Sequence, residues 1–160
     1  MLGVRALLDE IVWDEERTSQ AEAAWERLGR HLGFTSIRPE QLYSKDPDNL
    51  WVLVGDRHAV FELKTGCTTD TIAKKDIDQL GGSVRWDHDT HPGVTSVPVM
   101  LHPCRVVERQ GTPVAEMRVV TPDKLQALKP PCAPSLSPSS TDRGNGRTSM
   151  ESPPSSPRRA

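Results

Sequence analysis

The chain begins with two stretches in which apolar residues recur at helical spacing. Residues 4–13 and 17–32 each predict a helix, and Gly33 directly after the second offers a C-terminal stop. Residues 121–129 predict another helix, with Pro122 at its first position, where a missing backbone N–H is tolerated. The patterned part of the chain is therefore expected to begin and end with helices.

A further helix is predicted in the middle of the chain. Thr69 or Asp70 can cap it, because a side-chain oxygen at this position accepts a backbone N–H of the first turn. We expect Gly81 and Gly82 to end or loosen it. The apolar face of this helix comprises Ile72, Ala73, Ile77, Leu80 and Val84.

Between the helices, short apolar runs predict strands. Residues 34–38, 49–54 and 58–64 form three such runs, and only residues 55–57 separate the last two, which predicts a hairpin with a three-residue turn. The run at 49–54 lacks polar alternation, as is typical of a strand covered on both faces. We therefore expect it to be central in its sheet.

Two later runs, at residues 97–101 and 117–120, complete the predicted sheet. The order of elements indicates an α/β fold in which helices flank a mixed sheet. We assign residues 1–129 to one domain. Residues 130–160 are rich in Pro and Ser and too poor in apolar residues to offset their ordering entropy, so we expect a disordered tail. A regulatory or phosphate-contacting role for it is a weaker interpretation than a functionless extension.

Composition narrows the function classes. A net charge of −2 and a pI near 6.2 require any nucleic-acid partner to be held by a local basic patch. Cys67, Cys104 and Cys132 form no CxxC pair, which argues against a disulfide framework and a structural zinc site. No apolar run approaches the ~18–20 residues that a membrane span needs. The chain is thus expected to be a soluble cytoplasmic protein.

The strongest chemical signal lies at the open end of the predicted hairpin. Asp48 follows Pro47 just before the first strand, and Glu62-Leu63-Lys64 ends the second. Glu62 and Lys64 share a face because side chains alternate along a strand. If residues 55–57 form the turn, Leu50 lies opposite Glu62 and Asp48 lies opposite Lys64. A two-residue turn would place Asp48 on the other face.

These side-chain types suit a magnesium-dependent phosphodiester-cleaving centre. Two nearby carboxylates repel each other unless a divalent cation lies between them, and Mg²⁺ prefers oxygen ligands and phosphate. A lysine beside the ion can orient or deprotonate the attacking water, or donate to the phosphate. By itself, however, a strand ending in Glu-x-Lys is more often a solvated surface. The facing Pro47-Asp48 and the flanking helices favour the catalytic interpretation.

Pro47-Asp48, thirteen intervening residues and Glu62-Leu63-Lys64 together resemble the motif of the PD-(D/E)xK nucleases, which include restriction endonucleases and RecB-type nucleases. The resemblance covers roughly residues 15–105. It implies a restriction endonuclease-like αβββαβ core and hydrolysis of DNA phosphodiester bonds. It also implies that Asp48, Glu62 and the Leu63 backbone carbonyl bind Mg²⁺, with Mn²⁺ as a substitute, and that Lys64 is catalytic.

The same resemblance assigns roles to two helical residues. Glu22 stands eleven residues before Gly33 and matches an acid that the first helix supplies in many members, with Glu26 as the alternative. Gln79 matches the glutamine of the second core helix, although RecB-type members carry a tyrosine four residues later, where this chain has Ser83. Plain surface residues explain Glu22, Glu26 and Gln79 equally well.

Other polar clusters carry weaker signals. Residues 86–92 bring His and Asp close enough to indicate a metal site, but a polar loop after a helix explains them as well. Cys67 lies close after Lys64, yet nothing supplies a base that would make it a nucleophile. A local basic patch that guides a phosphate backbone can be formed by Lys45, Arg57, Lys74, Lys75 and Arg85, which scattered surface charges also explain.

The sequence therefore predicts a metal-dependent DNA endonuclease. Residues 61–86 also resemble nuclease modules of bacterial defence or helicase-associated proteins, which implies a stand-alone or truncated version of such a module. Most members of the superfamily act as dimers or as parts of larger proteins, so the resemblance implies a homodimer or a larger defence complex. The alternative is a module of the same fold that binds nucleic acid or protein without chemistry. A third interpretation is an unrelated α/β domain whose acids have no catalytic role.

Overall fold

A computed structural model of the chain describes residues 2–43 and 47–130, which form a mixed five-stranded open sheet flanked by helices. The strands are β1 Thr35–Ile37, β2 Asn49–Leu53, β3 Arg57–Leu63, β4 Thr95–Leu101 and β5 Arg118–Val120. The helices are α1 Leu2–Asp9, α2 Thr18–His31, α3 Pro39–Tyr43, α4 Lys74–Thr90 and α5 Pro122–Ala127, with a 3₁₀ turn at Glu15–Arg17. The predicted α/β class and the helix-flanked mixed sheet are confirmed.

The strands follow the chain order β1-β2-β3-β4-β5 across the sheet. The pairs β1–β2 and β2–β3 are antiparallel, whereas β3–β4 and β4–β5 are parallel. Parallel neighbours need a crossover connection, and α4 supplies it between β3 and β4. As a result, β3 is the middle strand and α4 packs directly against it.

Aromatic side chains dominate one face of the sheet. Trp51 stacks on Trp25 of α2 with ring centroids 5.1 Å apart. The ring centroids of Trp51 and Phe61 of β3 are 4.7 Å apart. Leu8 of α1 and Leu125 of α5 belong to the same buried cluster. The outer helices α1, α2 and α5 therefore cover this face.

A smaller aliphatic cluster lies on the opposite face, under α4. Val60 of β3 and Met100 of β4 are fully buried there against Ile77 and Leu80 of the helix. Glu62 has the same strand parity as Val60 and so projects to this face. The aliphatic cluster thus holds α4 in position beside the polar residues at the end of β3.

The predicted hairpin register is wrong by two residues. The turn has three residues as expected, but they are 54–56, and Leu50 pairs with Val60 instead of Glu62. Gly55 (φ 77°) and Asp56 (φ 50°) both adopt left-handed backbone, which closes the turn one residue earlier. A shift by two residues keeps every side chain on its predicted face, so Asp48 still lies on the Glu62 face.

The long helix also differs from the prediction. Residue 73 precedes its first turn, with no side-chain cap, while Thr69 Oγ1 donates to the Thr71 carbonyl. The helix continues through Gly81 and Gly82 to Thr90. The segment that was expected to be a polar loop is therefore largely helical.

Smaller corrections concern the ends of elements. The first helix ends at Asp9, well before residue 13, and α3 was not predicted. The β2 strand is internal, as a strand covered on both faces should be, but the middle position belongs to β3. Residues 131–160, which include most of the predicted tail and Cys132, lie outside the described residues. Within residues 2–43 and 47–130, no helix is long and apolar enough to cross a membrane.

Gly29 of α2 packs closely against Trp51 and Ser36 of the sheet. A Cβ at this helical position would lie 2.6 Å from the Trp51 ring and 2.8 Å from the Ser36 Cβ, and the stacked Trp51 ring cannot move aside easily. We expect Gly29→Ala to lower the free energy of unfolding by about 1–3 kcal/mol, although alanine favours helices. Urea unfolding measures the change.

Gly81→Ala is the matched control. At Gly81, also within a helix, the nearest atoms to a Cβ are at ordinary contact distances of 3.6 and 3.7 Å. This substitution should raise the free energy of unfolding by about 0.4–1 kcal/mol. Equal stabilisation by both substitutions would contradict the close packing at Gly29.

Candidate functional site

Two buried carboxylates, of Asp48 and Glu62, interact electrostatically where β2 begins and β3 ends. Asp48 immediately precedes β2, and its Oδ2 accepts a hydrogen bond from the Leu63 backbone N–H at 2.6 Å. Glu62, on β3, is fully buried. The N–H and C=O of a strand residue point to the same side, so the Leu63 carbonyl also faces the side on which Asp48 lies. All three metal-binding groups implied by the sequence thus belong to one end of the hairpin.

Two further acids, from α2 and α3, reach the same place. Carboxylate oxygens of Glu22, Glu40 and Asp48 all lie within 4.8 Å of one another. Glu62 interacts electrostatically with both Asp48 and Glu40. We refer to Glu22, Glu40, Asp48 and Glu62 as the acidic cluster.

Lys64 lies directly beside the acidic cluster. Its Nζ is 3.5 Å from Glu62 Oε2 and donates to Gln79 Oε1 of α4 at 2.7 Å. Ser83, one turn after Gln79, donates from Oγ to Glu62 Oε1 at 2.6 Å. The helix α4 therefore fixes both the ammonium and the carboxylate of the predicted Glu-x-Lys pair.

Burial strongly disfavours the ionised form of these acids. It raises the pKa of Asp48 to about 8, with the Glu62 charge as a further cause and the Leu63 N–H opposing it. Burial also raises the pKa of Glu62, against the hydrogen bond from Ser83 and the charge of Lys64. The pKa of Glu22 is raised by burial as well, although Arg38 opposes this shift. The raised pKa values indicate that the positive charge near these acids is too small to stabilise their ionised forms fully.

The charges around the cluster fit a divalent cation. Arg38 donates to Glu22 in a buried ion pair, and Lys64 contacts Glu62. Among the described residues, these two cationic side chains balance only half of the four carboxylates. A hard divalent ion such as Mg²⁺ takes oxygen ligands of this kind and supplies the missing charge. The side chains present therefore fit the predicted Mg²⁺, or Mn²⁺ in its place.

The remaining predicted residues differ in their exposure and in their ion-pair partners. Glu26, the alternative to Glu22, pairs with Arg30 on the exposed side of α2. Lys75 and Arg85 are exposed on α4, whereas Lys74 pairs with Asp78 one turn later. Lys45 lies outside the described residues.

Arg57 does not belong with the predicted basic patch. It begins β3, five residues before Glu62, which separates it from this member of the acidic cluster by about 17 Å at 3.3 Å per strand residue. A phosphate held at the acidic cluster would not contact this side chain. The described members of the predicted patch that belong to α4 are Lys74, Lys75 and Arg85.

Sequence reasoning missed three side chains of the site. Arg38 follows β1 directly, and Glu40 lies in the unpredicted α3. Ser83 was noted only as a departure from the nuclease motif, yet it contacts Glu62. Its spacing of four from Gln79, which places both on one helix face, was a usable signal.

A second cluster near the site contains Cys67, Asp76 and His102, with one ligand atom from each within 4.8 Å of the others. Burial raises the pKa of the Cys67 thiol and lowers the pKa of His102. Both shifts oppose a thiolate–imidazolium pair, which nucleophilic cysteine chemistry requires. The cluster therefore does not support covalent catalysis.

No model of a protein family matches the chain, and neither does any curated protein or solved structure. The case for a function is consequently built on the geometry and electrostatics of the acidic cluster.

The raised pKa of Asp48 predicts how stability depends on pH. A carboxyl with a pKa near 8 in the folded chain and about 3.9 when unfolded keeps its proton more firmly in the folded state. Without metal, stability should therefore be highest below pH 4 with respect to this group and fall as the pH rises towards 8. Asp48→Asn should flatten this fall and stabilise the metal-free protein at pH 8 by on the order of 2 kcal/mol.

Urea unfolding in EDTA between pH 5 and 8 measures the difference. Asp56→Asn, at the exposed tip of the hairpin, is the control and should leave the slope unchanged. Identical slopes for wild type and Asp48→Asn would show that Asp48 is ionised without cost.

Proposed function

We propose that the protein is a divalent-metal-dependent DNA endonuclease of the PD-(D/E)xK type. The observation that carries this proposal is the convergence of buried Asp48 and Glu62 with Lys64 at the open end of one hairpin. The order α2-β1-β2-β3-α4-β4, with the short helix α3 inserted between β1 and β2, agrees with the αβββαβ core of such nucleases. Glu22 supports the proposal because an acid from the first core helix reaches Asp48.

The acidic cluster would hold the metal. Asp48 and Glu62 would supply carboxylate oxygens and Leu63 would supply its carbonyl. Glu22 and Glu40 lie close enough to Asp48 to contribute further oxygens or to hold water. When bound, Mg²⁺ supplies positive charge for the phosphate and Lewis acidity for the attacking water. The hydrogen bond from Leu63 N–H keeps Asp48 in its orientation.

Lys64 is the proposed acid–base or positioning group. Its ammonium lies beside Glu62 and can orient a water or donate to a phosphate oxygen that gains charge. Gln79 fixes the position of Nζ by accepting a hydrogen bond at 2.7 Å. Ser83 holds the other oxygen of Glu62, so this carboxylate cannot rotate freely.

DNA is the proposed substrate because α4, which contacts the cluster through Gln79 and Ser83, also presents exposed basic side chains. Lys75 and Arg85 are exposed on this helix, and Gln79 and Ser83 of the same helix contact the site. Phosphate affinity depends on such local cations and not on the overall charge of −2. The pairing of Lys74 with Asp78 weakens its contribution.

Cleavage of a supercoiled plasmid tests the proposal. With Mg²⁺, wild type should nick and linearise the plasmid, and EDTA should stop the reaction. Asp48→Asn and Lys64→Ala should each lower the rate at least about 10²-fold, because one removes a metal ligand and the other the acid–base group. Lys124→Ala, an exposed lysine of α5, is the control and should cleave normally.

The two variants should differ in metal binding. Asp48→Asn should lose thermal stabilisation by Mg²⁺, whereas Lys64→Ala should keep it because a competing positive charge has been removed. Undiminished cleavage by both variants would overturn the endonuclease proposal. Gel-shift binding of DNA in EDTA by a wild type that never cuts with Mg²⁺ or Mn²⁺ would select the non-catalytic binding module instead.

A further inference from the structure

A buried carboxylate lies at the other end of β3, away from the acidic cluster. Asp87 of α4 is fully buried and has contacts with three side chains. His58 Nδ1 lies 2.8 Å and His91 Nδ1 2.9 Å from Asp87 Oδ1, while Ser96 donates from Oγ to Oδ2 at 2.6 Å. Among the described residues, the ion pairs of Asp87 are with these two histidines and not with Lys or Arg.

The backbone explains how these groups meet. Asp87 and His91 are four residues apart at the end of α4, so both face the sheet from the same side of the helix. His58 of β3 is paired with Ser96 of β4 in the parallel register. Three separate elements therefore converge on one carboxylate.

We propose that His58, Asp87 and His91 form a binding site for a divalent transition metal, with Zn²⁺ as the preferred ion. One nitrogen of each imidazole and one oxygen of Asp87 all lie within 4.8 Å of one another. Zn²⁺ takes such nitrogen and carboxylate ligands at about 2.0–2.2 Å, which sets tetrahedral ligands about 3.4 Å apart. The observed contacts of 2.8 and 2.9 Å need to widen by only about 0.5 Å.

The surroundings fit a metal with one ligand position left for water. Ser96 occupies Oδ2 of Asp87 and leaves Oδ1 directed at the two imidazoles, which is how a supporting residue orients a metal ligand. His58 is buried, whereas His91 is 34% exposed and opens the site to solvent. Limited access favours a four-coordinate ion over one that needs several open positions.

The proposed zinc site is distinct from the acidic cluster in place and chemistry. His58 and Glu62 are four residues apart on the same face of β3, which corresponds to about 13 Å. Imidazole nitrogens suit Zn²⁺, whereas the all-oxygen cluster suits Mg²⁺. The zinc site would join the C-terminal end of α4 to β3 and β4, and it does not depend on nuclease activity.

Calorimetric titration of the full chain with ZnCl₂, in excess Mg²⁺ to occupy the acidic cluster, tests the proposal. Wild type should bind one Zn²⁺ at this site and unfold at a higher temperature. His91→Asn should weaken this binding at least about tenfold, and His58→Asn should do the same. His88→Asn, on the exposed side of α4, is the matched control and should bind like wild type.

Replacement by Co²⁺ identifies the ligands independently. A nitrogen–oxygen site should give visible d–d bands without a thiolate-to-cobalt charge-transfer band, and His91→Asn should abolish them. A thiolate band, or loss of binding in Cys67→Ser, would assign the ion to the Cys67 cluster and overturn the proposal. Unchanged Zn²⁺ affinity in a folded His91→Asn variant, checked by circular dichroism, would overturn it as well.

Discussion

The packing of α4 on the middle strand β3 fixes the polar side chains at both ends of that strand. Gln79 contacts Lys64, Ser83 contacts Glu62 and Asp87 contacts His58, so three successive turns of the helix each meet one residue of the strand. Beside these contacts, Leu80 and Ile77 pack on Val60 in the aliphatic cluster. The apolar contacts supply the stability of the interface, and the polar contacts fix its register, because a shift by one residue would leave buried polar groups unpaired.

The acidic cluster needs elements from the other face of the sheet as well. Glu22 belongs to α2, which is held by the stacked aromatic rings of Trp25 and Trp51. Asn49 ties the same helix to β2 by donating to the Glu22 carbonyl at 3.1 Å. The aromatic core thus helps to form the site, because it holds α2 where the Glu22 carboxylate reaches Asp48.

Much of the fold could be predicted because it is encoded locally. Apolar spacing gave the strands and most helices, and strand alternation put Glu62 and Lys64 on one face. The hairpin register failed because Asp56 adopts a left-handed backbone that its residue type permits but does not announce. The end of α4 was missed because packing of Leu80 and Ser83 outweighs the cost of about 1 kcal/mol for each glycine between them.

From residue spacing, the candidate site could be predicted only in its local part, which Asp48, Glu62 and Lys64 form across one hairpin. Glu22 and Gln79, which also lie at the site, were predicted only through the resemblance to the nuclease motif. Arg38 and Glu40 come from a segment between β1 and β2 whose path depends on tertiary packing. No periodicity reveals that a residue after a strand will turn back to pair with an acid on α2. Geometry within one hairpin can thus be predicted from sequence, whereas a charge network formed by four elements cannot.

The fold itself gives no reason for a carboxylate at position 62. The position is fully buried on the middle strand, between Val60 and the end of that strand. An apolar side chain of similar volume would pack there without any cost of desolvation. Ser83 and Lys64 reduce that cost but do not remove it, since the pKa of Glu62 stays raised. Asp48 adds a second acid in the same state, with its pKa near 8. Two buried acids whose charges are only partly balanced destabilise a metal-free protein, and a bound cation would be the simplest physical condition under which both become favourable.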